Sequence, residues 1–347
     1  MKNSIVLHLN STKNSMQASA RMARFLSAEL KIPLIDTPEA LQRVKERVTS
    51  RKLTMFFVNG TPAFSPMVDN LGTDLFPLVQ RVFWIQNDYT IMLPPHQGHS
   101  RPTNAVTPFR KNFFFIPEFH LWSTCKDILQ KRRYKGNHPL DFYINWNALT
   151  YAPFESELET RHKALLYYGA LRADRKPTFR RYLNSAAVRI SASSKIGKVK
   201  DEWAEIAPSA RLLPIKPHTP TVSSNGNTYG ESSLLTFLDK YRHSLYMSDQ
   251  KSLSGMHSFA NRYYEVLSCP DTVLWLEKAG SPGYELNKLD SYEDFIIGSV
   301  KDLETRVRMP EADRQALAKF QRENWIGKDP YLKLVRRLHT LTDYIQS

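Results

Sequence analysis

Cysteine is scarce in this chain of 347 residues: Cys125 and Cys269 are far apart and fall in no CxxC pattern. They offer neither a disulfide framework nor a zinc ribbon, and such usage suits a reducing, cytoplasmic setting. Long apolar runs are missing too. The opening MKNSIVLHLN has one lysine and a short apolar run that soon turns polar, so it predicts a first strand and not a signal peptide. No segment approaches the length of a membrane-spanning helix, so no membrane partner is expected. Internal repeats and low-complexity tracts are also absent.

Negative charge is in short supply. Asp and Glu number 34 against 48 Lys and Arg, a formal charge of +14. Such an excess attracts polyanions and makes nucleic acid a leading partner, with a generally basic soluble enzyme as the alternative. Hydrophobic residues at 41% and charged residues at 24% belong to a folded globular chain, and its length suits two domains, each with its own core.

Short apolar runs alternate with helical patterns. Ser4 to Leu9 predicts a strand and Met16 to Leu30 a helix; LTMFFV (Leu53 to Val58) and VFWIQ (Val82 to Gln86) predict two further strands, each stopping at polar residues. A loop-rich stretch rich in proline follows, from Leu93 to Pro117. A second alternation starts at Ala164, with strands to Tyr168 and over Ala187 to Ser191, and helices from about Thr178 and near Trp203. A Pro-rich link is expected around Leu213 to Pro220, then a helix over Leu234 to Tyr241 and strands at Ser244 to Met247 and Thr272 to Leu276, with the helical pattern Ala260 to Ser268 between them. From Pro310 the chain is helical in character, with a break at Gly327 to Pro330. The pattern is α/β: two doubly wound, mostly parallel sheets, whose ligands bind beyond the carboxyl ends of the strands.

Five segments carry candidate chemistry. In LLYYGALRADRKPTFRRYL, Gly169 stands at the turn after a strand, where a missing side chain permits close backbone approach to a ligand; Arg172, Arg175 and Lys176 follow as a group of cations, and Arg172 and Lys176, four apart, can converge on one anion. Arg262 and Glu265, three apart on an expected helix, can face the same site, one for phosphate and one for a ribose, although an ion pair on a helix surface has the same spacing. Asp88, following the strand that ends at Gln86, is placed to take a proton from an attacking hydroxyl, or to cap a helix or close a turn. Arg101, Arg110, Lys111, Lys131, Arg132, Arg133 and Lys135 form two basic segments that can hold DNA phosphates without reading sequence, and that otherwise are solvated faces. His96 and His99 lack a third ligand and a regular element, so no metal site is expected.

These segments resemble the GT-B glycosyltransferases, and specifically the DNA β-glucosyltransferases of T-even bacteriophages. Tyr168, Gly169, Ala170, Leu171 and Arg172, with Lys176 four further on, are similar to that family's Tyr-Gly-Gly-Ser-Phe-Arg block and its second arginine. Asn261 to Cys269 is similar to its Leu-Arg-Val-Trp-Glu-Thr-Met-Ala-Ser block, and Gln86-Asn87-Asp88 followed by Leu93-Pro94 to its Phe-Thr-Asp and Leu-Pro. Lys176 replaces an arginine, Ala170 and Leu171 replace Ser and Phe, and two more residues separate Asp88 from its Leu-Pro. The resemblance implies a GT-B fold of two Rossmann-like domains facing each other across a cleft: an acceptor (DNA) domain at 1–155, a nucleotide-sugar domain at 160–325, and a C-terminal helix at 326–347 packing back on the first. It implies an inverting transferase, monomeric and in the host cytoplasm if phage-encoded. The donor is a UDP-sugar, UDP-glucose first, a divalent cation is optional, and the acceptor is a hydroxyl on a modified pyrimidine, such as 5-hydroxymethylcytosine, in double-stranded phage DNA. Asp88 would be the base, with Gly169, Arg172, Lys176, Arg262 and Glu265 on the donor. Two rivals stand beside it: a GT-B transferase for a glycan or small molecule, and a non-catalytic basic DNA-binding protein.

Overall fold

The computed structural model describes residues 3–8, 18–48, 52–59, 75–86, 117–123, 142–143, 156, 158–169, 173–194, 202–214, 232–248, 259–326 and 330–346. By contacts the chain divides into two compact units, one of Met1–Leu149 with Tyr331–Ser347, the other of Thr150–Pro330.

The first unit holds β1 (Ser4–Leu7), α1 (Ala18–Glu29), β2 (Leu34–Ile35), α2 (Pro38–Arg47), β3 (Leu53–Asn59), β4 (Val79–Gln86), β5 (Glu118–Ser123) and β6 (Phe142–Tyr143). Its six strands pair in parallel in the order β2-β1-β3-β4-β5-β6. β1 is buried along its length and β3 from Leu53 to Val58, which is why both appear in sequence as largely apolar runs. Phe56, Phe83 and His120 are register partners on β3, β4 and β5, and their rings stack at 4.8 and 4.7 Å. The helix α2 begins where its sequence says it should. The Thr37 hydroxyl accepts the Ala40 N–H at 3.2 Å, Pro38 opens the first turn, and Lys45 and Arg47 close the last one, where the helix dipole favours cations.

The second unit holds β7 (His162–Tyr168), α3 (Lys176–Tyr182), β8 (Ile190–Ser194), α4 (Trp203–Ile206), β9 (Ala210–Pro214), α5 (Ser232–Asp239), β10 (Tyr241–Tyr246), α6 (Asn261–Leu267), β11 (Val273–Glu277), α7 (Ser281–Leu286), β12 (Ile296–Ile297), α8 (Val300–Val307) and α9 (Glu311–Gln321). A last helix, α10 (Pro330–Gln346), falls almost wholly in the first unit by its contacts. The second sheet is again six-stranded and parallel, in the order β12-β11-β10-β7-β8-β9. Its core is contiguous, from Leu165 and Leu166 on β7 through Leu245 on β10 to Trp275 and Leu276 on β11.

Several segments differ from the sequence expectation. Leu213 and Pro214 close the edge strand β9 instead of opening a link, an allowed place for proline because an edge strand can spare one N–H. The strand after α5 begins at Tyr241, not at Ser244, because the helix ends at Asp239 and Tyr241 already pairs with His162. The helix α2 and the two-residue strands β2, β6 and β12 had no counterpart in the sequence pattern.

The amino edge of the second sheet is clamped. Arg161, just before β7, donates to Asp239 at 2.9 Å and pairs with Asp271 at 2.8 Å, which ties together the entries to β7, β10 and β11. On the outer side of β11, Gln321 is fully buried; its amide donates to the Leu274 carbonyl at 2.7 Å and accepts the Leu274 N–H at 2.9 Å. With that edge fixed, the opposite, carboxyl edge is left for a ligand.

Candidate functional site

In the second sheet the chain leaves β7 toward β8 and β9 on one side, then returns to place β10 on the other. The reversal opens a crevice beyond the carboxyl ends of β7 and β10, which is where open α/β sheets take ligands. Gly169, immediately after β7, and Met247 and Ser248, immediately after β10, stand at that point.

Gly169 has φ +156°, a conformation that a side chain disfavours, and a Cβ there would lie 3.0 Å from Tyr167 Oη and 3.1 Å from Arg262 Cδ. The backbone at Gly169 is thus exposed to what lies beside it because nothing protrudes from it. Arg262, the second residue of α6, lies over the Tyr246 ring with its guanidinium carbon 5.0 Å from the centroid, and it donates to the Met247 carbonyl. A ring face and a carbonyl oxygen are both electron-rich, so together they orient the guanidinium. Glu265 is buried on the same helix, one turn on.

Arg175, one of the cations the sequence places after β7, joins this group. It is the last residue of a single 3-10 turn, Ala173–Arg175, and precedes α3; only 4% of it is exposed, and Nη1 donates to Tyr167 Oη at 2.9 Å. Pro177 near the start of α3 fixes where the helix begins and so puts Arg175 at its cap. The partner hydroxyl is eight residues back on β7, out of reach of any local pattern.

Glu277 closes the far side. It ends β11, buried, and accepts the Ser248 N–H at 3.1 Å. Burial pushes its carboxyl above the usual range, while hydrogen bonds from Ser248 and Thr178 and the charges of Arg175 and Arg181 pull it back.

Of the residues singled out from sequence, Gly169 and Arg262 are brought together, with Glu265 on the same helix. Lys176 opens α3, and its ammonium forms an ion pair with Glu202, whose side chain is largely exposed. Asp88, Arg172, Arg101, Arg110, Lys111, Lys131, Arg132, Arg133 and Lys135 lie outside the described residues, as does Cys125; Cys269 is buried and free. Among the described residues there is no cluster of three or more His, Cys, Asp or Glu side chains that could hold a metal ion, and no helix is long and apolar enough to cross a membrane.

The packing around Gly169 makes its replacement costly. Gly169→Ala is expected to lower the unfolding free energy by about 2 kcal/mol, since the backbone is strained for alanine and Tyr167, held by Arg175, cannot give way. A urea melt checks this; an unchanged midpoint would show that the turn relaxes freely.

No family model matches this chain, and no curated protein does. Solved structures do. The T4 phage β-glucosyltransferase in complex with UDP and Mn2+ is similar over 99% of both chains, with a TM-score of 0.58 at 13% identity. An α-glucosyltransferase in complex with UDP and a 13-mer DNA containing a hydroxymethyluracil base covers 99% of both, with a TM-score of 0.56 at 10% identity. A glycosyltransferase from Rickettsia africae reaches a TM-score of 0.52 at 7% identity. The chain therefore has the fold of the GT-B glycosyltransferases, two Rossmann-like α/β units with parallel sheets.

Proposed function

We propose that this chain is an inverting glycosyltransferase that moves a sugar from a UDP-sugar to a hydroxyl on a modified pyrimidine in phage DNA. The observation that carries the reading is Arg262, oriented by Tyr246 and Met247 and set against the bare backbone of Gly169, at the switch point of the second sheet. A diphosphate fits that place. Its oxygens can approach the Gly169 backbone, a guanidinium can grip them in pairs, and Arg172 and Lys176, nearby in sequence, add positive charge where the leaving group's negative charge grows. Lys176 would then exchange its exposed partner Glu202 for phosphate, an exchange made easy by the weakness of surface ion pairs. Glu265, on the same helix, would accept the ribose hydroxyls.

In the reaction, Asp88 takes the proton of the acceptor hydroxyl while that oxygen attacks the sugar's anomeric carbon. The carbon–oxygen bond to the diphosphate breaks on the opposite side, and UDP departs with the negative charge. Attack from one face and departure from the other inverts the anomeric configuration. A divalent ion bound to the diphosphate would supply further charge neutralisation, but the side-chain cations already meet that need. The net charge of +14 favours a polyanionic acceptor, and a base inside a duplex must be flipped out to reach the enzyme, a step that needs its flanking phosphates held. The basic segments at Arg101, Arg110 and Lys111 and at Lys131, Arg132, Arg133 and Lys135 would do that holding.

The test is direct. The full chain is incubated with radiolabelled UDP-glucose, or other UDP-sugars, and with DNA containing 5-hydroxymethylcytosine, plain DNA, or a glycan acceptor. Label is expected in the modified DNA alone, and Arg262→Ala is expected to weaken UDP binding by about 10²-fold, the loss of a charge-assisted contact. Label in the glycan alone would move the acceptor assignment; no UDP binding by the wild-type chain would remove the transferase reading.

A further inference from the structure

The first sheet has a switch point of its own. From β1 the chain turns to β2 on one side, then comes back to place β3 on the other. Here stands His8, one residue past β1 and only 5% exposed. Its N–H donates to the Ile35 carbonyl at the end of β2 at 3.1 Å, and its Nδ1 lies 3.1 Å from the Val58 carbonyl near the end of β3. One residue thus spans all three strands around the reversal.

The bond to Val58 fixes the imidazole's chemistry. A carbonyl oxygen only accepts, so Nδ1 must carry the hydrogen. Burial holds this histidine below its usual value, and the charge of Arg24 adds to that, with the Val58 bond and Asp36 opposing. The ring is therefore neutral near pH 7, and Nε2 is left with a lone pair. That nitrogen is buried, with no hydrogen-bond partner among the described residues. Leaving a buried acceptor unpaired carries a desolvation cost, which a bound donor would recover. Phosphate oxygens at neutral pH have no hydrogen to give it, whereas a hydroxyl does.

We infer that His8 Nε2 accepts a hydrogen bond from a ligand hydroxyl and so positions that ligand at the switch point of the first sheet. The inference rests on the transferase reading, whose two substrates both bring hydroxyls: the sugar of the donor and the hydroxymethyl group of the acceptor base. The residue acts by contact and orientation. It takes no proton, since Asp88 is assigned that role.

The experiment uses the full chain labelled with nitrogen-15 at histidine. The His8 Nε2 resonance is followed as UDP, UDP-glucose, plain duplex, and duplex containing 5-hydroxymethylcytosine are added, and calorimetry records UDP binding in the same samples. A displacement by UDP-glucose but not UDP assigns the donor sugar; one by the modified duplex but not the plain one assigns the acceptor. His8→Asn keeps a donor for Val58 but removes the Nε2 acceptor, and is expected to lower kcat/KM for that substrate roughly five- to tenfold. His8→Gln, which returns an acceptor near the Nε2 position, is expected to recover part of it. If UDP binds while neither pair of ligands moves the resonance, His8 is satisfied by water and the inference is overturned. If UDP gives no heat and nothing moves, the transferase reading has failed and the inference with it.

Discussion

Asp88→Asn is expected to slow sugar transfer by about 10³- to 10⁴-fold while UDP binding stays within a factor of two or so of wild type. Asparagine keeps the size and the accepting oxygen of aspartate but cannot take a proton. The acceptor hydroxyl would then have to attack with its proton in place, or hand it to water. β4 ends at Gln86, two residues earlier, so Asp88 follows a strand that runs toward the carboxyl edge of the first sheet. Gly169, Arg262 and Glu265, proposed to hold the donor, belong to the second unit. Single-turnover transfer to 5-hydroxymethylcytosine DNA measures the rate, and calorimetry with UDP measures donor binding. Full activity in the variant would remove Asp88 from the chemistry, and loss of UDP binding would assign it to the donor instead.

The second unit is expected to be acid-labile through His243. This residue is buried on β10, its Nδ1 accepts the Trp275 indole N–H at 3.2 Å, and the two rings stack with 6.1 Å between centroids. Accepting that bond requires an unprotonated nitrogen. Burial, and then the neighbouring charges of Arg314 and Arg242, lower its pKa to about 3, against the opposing pull of Glu311. The sign follows from proton uptake: below pH 6.5 the unfolded chain binds a proton that the folded chain refuses, so stability falls with falling pH until the folded value is reached. At pH 4.5 the expected loss is ~2–3 kcal/mol, rising to roughly 4–5 kcal/mol at pH 3. Urea melts between pH 7.5 and 4 would show it. His243→Asn offers the indole a carbonyl oxygen and does not titrate, so the difference in stability between variant and wild type should shift toward the variant as pH drops. A difference independent of pH would mean that the folded chain takes up the His243 proton as readily as the unfolded one.

The sequence made the buried strands visible and the small ones invisible. β7 and β11 are buried along most of their length, and their apolar runs, ALLYY and VLWL, are continuous. β2, β6 and β12 contribute two residues each, too few for any period, and are fixed by pairing with longer neighbours. The helix α2 had its signals in view, Thr37, Pro38 and two late cations, yet these are local cues that only a cap geometry makes decisive. The same division holds at the site. Gly169 and Arg262 were legible because a glycine after an apolar strand and a cation at a helix start carry their meaning locally. Glu277 and His8 were not, since what distinguishes each is a partner from elsewhere in the fold: Ser248 and Val58.

Gln321 does for β11 what a neighbouring strand would otherwise do. β12 covers only Leu276 and Glu277, so the peptide group of Leu274 would stand bare on that border. Bare peptide groups invite a stranger's backbone to zip on, and one glutamine side chain, holding both the hydrogen and the oxygen, occupies the place first. The border is thereby sealed with a single residue, and the protein is spared one route to sticking to its own copies.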